Sequence, residues 1–310
     1  MRNFVLFAGS AVPDLASSAA SLLGVRLGGC AIERFPDGET WIGIDEPVRG
    51  RDVFIVQSTA PPVNEHLVEL LAFADACRRA AAASITAIVP YFGYSRQDKR
   101  HGKREPITAS MTADLFEAVG IDHLVTVDLH TPQIEGFFHI PVDNLTAVPS
   151  LCEALIGHLP AGTVVVSPDA GRVKMATDYG HRLSAPIAVL HKRRESATET
   201  RVTQLVGDVR GHPCLIIDDM ISTGATLGNS MDALLKAGAQ PEIYIAATHG
   251  VFAEGVRQLL INDALRGVFI TDTITVSTRD WRELTVISLD SLIADAVRRF
   301  VANGSLDALY

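Results

Sequence analysis

Short apolar runs alternate with longer stretches of helical periodicity from one end of the chain to the other. The runs at 4–8, 53–57, 85–89, 124–128, 164–167, 187–190, 214–217, 243–248 and 268–271 read as strands. Helical spacing marks 64–80, 108–119, 171–182, 226–237, 251–260 and a last helix at 289–301. Asn64 stands as an N-cap, because Leu67, Leu70, Leu71 and Ala74 follow at helical intervals. Strands alternating with helices predict an α/β fold with mainly parallel sheets flanked by helices. The two halves repeat one plan: strand, loop, long helix, strand, then an acidic strand end. The pattern therefore predicts two similar domains, 1–145 and 146–310, with the last helix packing on either half.

Composition narrows the class. At 310 residues the chain is long enough for two domains with separate cores. A hydrophobic share of 47% with 20% charged residues predicts a soluble globular protein, and a net charge of −9 lacks the basic footprint of a nucleic-acid binder. No apolar run reaches membrane-spanning length, so no membrane partner is expected. The opening Met-Arg-Asn-Phe-Val-Leu-Phe reads as a first strand rather than a cleaved signal. Cys30, Cys77, Cys152 and Cys214 have neither metal-ligand nor redox spacing, and Cys77 and Cys214 sit in apolar segments as reduced core residues. The cytoplasm is the expected compartment.

The chemistry concentrates at 215–227, where an apolar run meets Asp218 and Asp219 and then the hydroxyl-rich loop Ser222, Thr223, Gly224, Ala225, Thr226 before a helix. Backbone N–H groups at such a turn attract phosphate, and Gly224 allows close approach. The carboxylates would then face sugar hydroxyls, directly or through a cation. The alternative is an ordinary helix cap.

Other segments carry paired readings. Phe35, Asp37 and Glu39 flank a Pro-Asp-Gly turn signal that occurs on any surface. Arg96, Gln97 and Asp98 follow a strand, where open α/β sheets bind ligands; they would clamp phosphate and read a base or ribose edge, or form a solvated loop. The charge run 99–104 reads as a solvated face. Asp128 and His130, two apart at a strand end, share a face; with Asp143 nearby, His130 is either structural or a ligand for metal or phosphate. Phe137 and Phe138 read as core. Asp169 is a helix cap or a metal or phosphate ligand. His191, Lys192, Arg193 and Arg194 precede a polar stretch at 195–201 without periodicity, so they read as solvated charge or as a mobile loop closing over polyphosphate.

In this order the segments resemble the ribose-phosphate diphosphokinase (PRPP synthetase) family over essentially the whole chain. The strongest single piece is 128–143, with Asp-Leu-His, Gly-Phe-Phe and Pro-x-Asp. The resemblance implies two type I phosphoribosyltransferase-like domains, a homo-oligomer, and Mg²⁺-dependent transfer of the β,γ-diphosphoryl group of ATP to the C1 hydroxyl of ribose 5-phosphate, giving PRPP and AMP. It implies that Phe35, Asp37 and Glu39 hold adenine from a neighbouring subunit, and that Arg96 and Gln97, with Asp98 beside them, contact ATP. By the same resemblance His130 and Asp169 hold Mg²⁺, Asp218 and Asp219 bind ribose hydroxyls, Ser222 to Thr226 cradle the 5-phosphate, and Lys192 and Arg194 stabilise transition-state charge.

Four departures stand out. Ser222 replaces an Asp of many members, Ala225 replaces a Gly, Ala170-Gly171-Arg172 differs from the usual residues after Ser-Pro-Asp, and Pro47 replaces a Ser in a segment tied to phosphate and ADP regulation. Two other readings compete. A regulatory subunit without catalysis would have lost its cationic loop or metal ligands, and a phosphoribosyltransferase would leave the first half without a task.

Overall fold

The computed structural model describes residues 3–100, 102–194, 200–278 and 280–310. His101 of the charge run and 195–199 of the polar stretch lie outside the described residues. The chain forms two compact units, 1–146 with 273–275 and 288–310, and 147–272 with 276–287.

The first unit is built on β1 (Phe4–Ala8), α1 (Pro13–Leu23), β2 (Cys30–Arg34), β3 (Thr40–Ile44), β4 (Asp52–Val56), α2 (Val63–Arg79), β5 (Ser84–Val89), α3 (Thr108–Ala118), β6 (His123–Val127) and β7 (Val142–Leu145). Five strands form a parallel sheet in the order β1-β4-β5-β6-β7. Its central strands are buried along nearly their whole length, which is why they read as unbroken apolar runs. The antiparallel hairpin β2–β3 stands apart as its own small sheet.

The second unit comprises α4 (Val148–Leu155), β8 (Val164–Ser167), α5 (Val173–Leu183), β9 (Ile187–Arg194), β10 (Thr200–Val206), β11 (Cys214–Ile221), α6 (Ala225–Lys236), β12 (Ile243–Gly250), α7 (Val256–Leu260), β13 (Leu265–Thr271) and β14 (Leu284–Ile287). Its seven-stranded sheet runs β10-β9-β8-β11-β12-β13-β14, parallel except for β10. The last helix, α8 (Asp290–Ala302), belongs to the first unit, where Phe300 meets Phe54 and His123 edge-on.

Several elements differ from the pattern. Asn64 does not cap α2: the helix starts one residue earlier after Pro62, and Asn64 Oδ1 instead accepts from the Tyr94 hydroxyl. The stretch expected at 171–182 begins with a 3-10 turn, Ala170–Arg172, and the helix expected at 251–260 shortens to α7. Strand β9 runs on through Arg194 and pairs with β10, with Arg194 opposite Thr200 and Lys192 opposite Val202. The backbone flanking 195–199 is therefore a β-ladder on both sides rather than a loop. Cys77, Cys152 and Cys214 are buried, which pushes each thiol up to about 12. Phe138 is core, 5.8 Å from Phe92 between ring centres, and Phe137 packs at its edge.

Candidate active site

In the first unit three loops carry the motif residues. The tip of the β2–β3 hairpin is closed by Phe35 N donating to Glu39 O at 2.8 Å and Glu39 N donating to Asp37 Oδ1 at 3.1 Å. Phe35 is 50% exposed, so this aromatic is presented outward rather than buried. The hairpin is anchored beside its tip: Arg34 pairs with Glu65 at 2.9 Å and lies 3.8 Å from the buried Glu69. Glu69 accepts from Ser10 N at 2.7 Å, Ser10 Oγ at 2.6 Å and Gln57 Nε2 at 2.8 Å, so its charge is fully engaged.

The loop after β5 buries Tyr91 and Phe92 and exposes Arg96 and Gln97. Gly93 sits where a Cβ would lie 2.4 Å from Thr59 O, so only glycine permits this approach. Gln97 Oε1 accepts from Thr108 Oγ1 at 2.6 Å, and Asp98 Oδ2 accepts from Thr131 Oγ1 at 2.8 Å.

Asp128 and His130 do not share a strand face. β6 ends at Val127, and Asp128 turns left-handed with φ 43°, which breaks the two-residue alternation. Asp128 Oδ1 accepts from Thr146 Oγ1 at 2.8 Å, while His130 is half-buried on the loop beyond. Strain of this kind collects at functional sites. Asp143, on β7, bonds His123 Nε2 at 2.6 Å and accepts from the Tyr310 hydroxyl.

In the second unit β11 extends past the acidic pair to Ile221, so Asp218 and Asp219 lie within a buried strand rather than at its end. Adjacent strand residues point to opposite faces. Here Asp218 Oδ1 curls back to accept from Asp219 N at 2.9 Å, and one guanidinium reaches both carboxylates. That guanidinium is Arg172, with Nε 3.2 Å from Asp218 Oδ1 and Nη2 2.7 Å from Asp219 Oδ2. Burial and the neighbouring Asp219 charge push the Asp218 carboxyl well above its ordinary range, and Arg172 only partly opposes them. For Arg172 burial works against the charge, but Asp219, Asp218 and Asp169 more than offset it and raise its value. Sequence reading noted Arg172 only as a departure. It stands three residues beyond Ser-Pro-Asp, and nothing in its spacing names a partner 46 residues further on.

Ser222, Thr223 and Gly224 form the loop into α6, followed by Ala225 and Thr226 as the first helical residues. Ala253 N donates to Ser222 O at 2.9 Å, bracing the loop from the β12 side. Gly224 has φ 75°, and a Cβ there would meet Val256 and Leu259 at 3.2 Å. Asp169 caps the 3-10 turn by accepting from Gly171 N at 2.8 Å. The backbones of Lys192 and Arg194 lie in β9, and their side chains fall outside what is described.

Magnesium takes oxygen ligands and is commonly held by one or two carboxylates together with substrate phosphates. Among the described residues no three His, Cys, Asp or Glu side chains gather as a self-sufficient metal cage. Asp169 offers one carboxylate and His130 a ring nitrogen, a sparse set that suits an ion bringing its other ligands from a polyphosphate.

Residues 4–120 match the N-terminal domain of ribose phosphate pyrophosphokinase, and 194–310 match the phosphoribosyl synthetase-associated domain. The ribose-phosphate pyrophosphokinase of Vibrio cholerae is 44% identical over all of both chains, and that of Fusobacterium nucleatum is 42% identical over all of this chain and 98% of its own. The crystal structure of phosphoribosylpyrophosphate synthetase from Mycobacterium smegmatis superposes with a TM-score of 0.90 at 41% identity, covering 98% of this chain and all of that one. With both halves matched and identity sustained end to end, the chain belongs to the ribose-phosphate pyrophosphokinase family.

Proposed function

We propose that the chain transfers the β,γ-diphosphoryl group of ATP to the C1 hydroxyl of ribose 5-phosphate, releasing AMP and PRPP. The observation that carries this is the second unit's acidic pair and hydroxyl loop at the head of α6, in a chain alike end to end with pyrophosphokinases. The competing readings fall away: a phosphoribosyltransferase or a regulatory subunit leaves that sustained identity without an explanation.

In this reading the second unit binds ribose 5-phosphate. The N–H groups opening α6 meet the 5-phosphate between Ser222 and Thr226, and the acidic pair accepts from the sugar hydroxyls. Arg96 and Gln97, exposed on the loop after β5, contact ATP, and Asp98 holds that loop. Phe35, Asp37 and Glu39 reach the adenine of a neighbouring subunit, which the outward-facing Phe35 at the hairpin tip favours. His130 and Asp169 hold Mg²⁺, which when bound neutralises polyphosphate charge. Lys192 and Arg194 answer the charge that builds as the C1 oxygen attacks and AMP leaves. Such transfer proceeds by positioning and charge neutralisation, without a covalent protein intermediate. No described helix is long and apolar enough to cross a membrane, and the cytoplasm, where ATP is made and used, is the proposed compartment.

A phosphorus NMR time course of purified protein with ATP, ribose 5-phosphate and Mg²⁺ tests the reaction. AMP and PRPP appearing in equal amounts support it, and no turnover from folded protein rejects it. Running the series with and without inorganic phosphate reads the effect of Pro47.

A further inference from the structure

The acidic pair of the second unit is closed by a cation that belongs to the chain. Arg172, Asp218 and Asp219 expose only 16%, 12% and 3% of their side chains. Arg172 ends the 3-10 turn that Asp169 caps, so its backbone is fixed rather than carried on a loose loop. Its Nε and Nη2 spread across the two carboxylates, a fork that suits a guanidinium and that a lysine ammonium matches less well.

Two adjacent buried carboxylates repel each other, so either one of them holds a proton or a counter-charge is supplied. A bound divalent ion or a side-chain cation can supply it, and here the side chain does. A divalent ion entering the same pair would meet a fixed positive charge. It would also have to take oxygens already turned toward that charge, in the near-octahedral geometry magnesium demands. An ionised carboxylate can accept about four hydrogen bonds, so the contacts with Arg172, and with Asp219 N at Asp218, are compatible with further acceptance from sugar hydroxyls.

Resting on the ribose 5-phosphate reading above, we propose that Arg172 is a positioning residue of that subsite. It takes the place of a divalent ion at Asp218 and Asp219 and holds both carboxylates toward the sugar hydroxyls. Ribose 5-phosphate then binds this subsite without an ion held by the pair.

Calorimetric titration of the full chain with ribose 5-phosphate, without ATP, tests this in EDTA and in magnesium. The wild-type dissociation constant should agree within about twofold between the two conditions. Arg172→Gly should bind the sugar phosphate about tenfold or more tightly with magnesium than without. It should also gain a manganese site that wild type lacks, read by electron paramagnetic resonance. Arg172→Lys should retain ion-independent binding, since it keeps the charge. If Arg172→Gly does not fold by circular dichroism, Arg172→Gln, neutral and similar in length, carries the same comparison. Wild-type affinity that already rises about tenfold with magnesium, or a neutral variant indifferent to the ion, overturns the proposal. No binding of ribose 5-phosphate to wild type in either condition overturns the subsite reading itself, and this inference with it.

Discussion

Thr131 Oγ1 donates to Asp98 Oδ2 at 2.8 Å and so joins the loops that leave two paired strands of the first unit, β5 and β6. One loop presents Arg96 and Gln97, and the other carries His130. In the proposed reaction Asp98 serves ATP binding through the loop it fastens, by accepting from a neighbour. A hydrogen bond to a charged acceptor contributes about 1.5–3 kcal/mol, less where both partners are partly solvated.

Thr131→Val keeps the shape of the side chain and removes the donor. It should raise the KM for ATP several-fold with a smaller change in kcat, because ground-state positioning is what loosens. Steady-state kinetics over a range of ATP decide it. An unchanged KM would leave the contact as a local tether with no bearing on nucleotide binding.

Gly224 is constrained twice, by a φ of 75° and by the packing of Val256 and Leu259 at 3.2 Å from where a Cβ would sit. Left-handed backbone costs an ordinary residue about 1–2 kcal/mol, and the crowding adds to that. Gly224→Ala should therefore lower the urea midpoint and raise the KM for ribose 5-phosphate together. Ala225, which stands where many members have glycine, is already helical and exposed. Ala225→Gly should change stability by less than Gly224→Ala does.

What could be read from residues alone followed the strength of each local signal. Strands β1 and β8 were fixed to the residue, because continuous apolar runs between turn formers have one reading. The hairpin β2–β3 was invisible as strand, since its half-exposed residues give neither a buried run nor clean alternation. α1 escapes the pattern because small and polar residues dilute its apolar face, and α4 because its 8 residues give only about two turns of periodicity. The motif segments stand out along the chain, but the contacts their residues make do not. Asp98 accepting from Thr131, Asp143 bonding His123 and Arg172 spanning two aspartates all join residues far apart in sequence. Spacing along the chain carries no trace of such contacts.

Asp143 ties β7 to β6 and to the carboxyl terminus through His123 and Tyr310. Burial pushes its carboxyl up, but hydrogen bonds from His123 and Tyr310 and the His123 charge outweigh that and hold it below its ordinary value. A carboxyl depressed in the folded state contributes stability above its unfolded value, near 3.9, and loses it as pH falls through the folded one. Tyr310 is displaced upward, by burial and then by Asp143, so its half of the contact persists below about pH 10 and is lost only in strong alkali. Asp143→Asn should thus be less stable than wild type near pH 7, with the gap closing as both are acidified toward about pH 2. Urea midpoints across that range measure it, and a gap independent of pH would assign the loss to packing instead of charge.

Lys192 and Arg194 occupy β9 opposite Val202 and Thr200, so the cations that the family resemblance assigns to catalysis ride on paired strands. A charge that meets the substrate only as negative charge builds up contributes to kcat and hardly to ground-state affinity. Lys192→Ala should then reduce kcat by roughly 10²–10³-fold, the range seen when one transition-state donor is removed, while ATP affinity hardly changes. Lys192→Arg, which keeps the charge but alters its reach, should recover part of the rate. Single-turnover measurements separate chemistry from release, and equilibrium nucleotide binding supplies the affinity. A loss appearing wholly in the KM for ATP would make Lys192 a ground-state contact, leaving Arg194 to answer the developing charge.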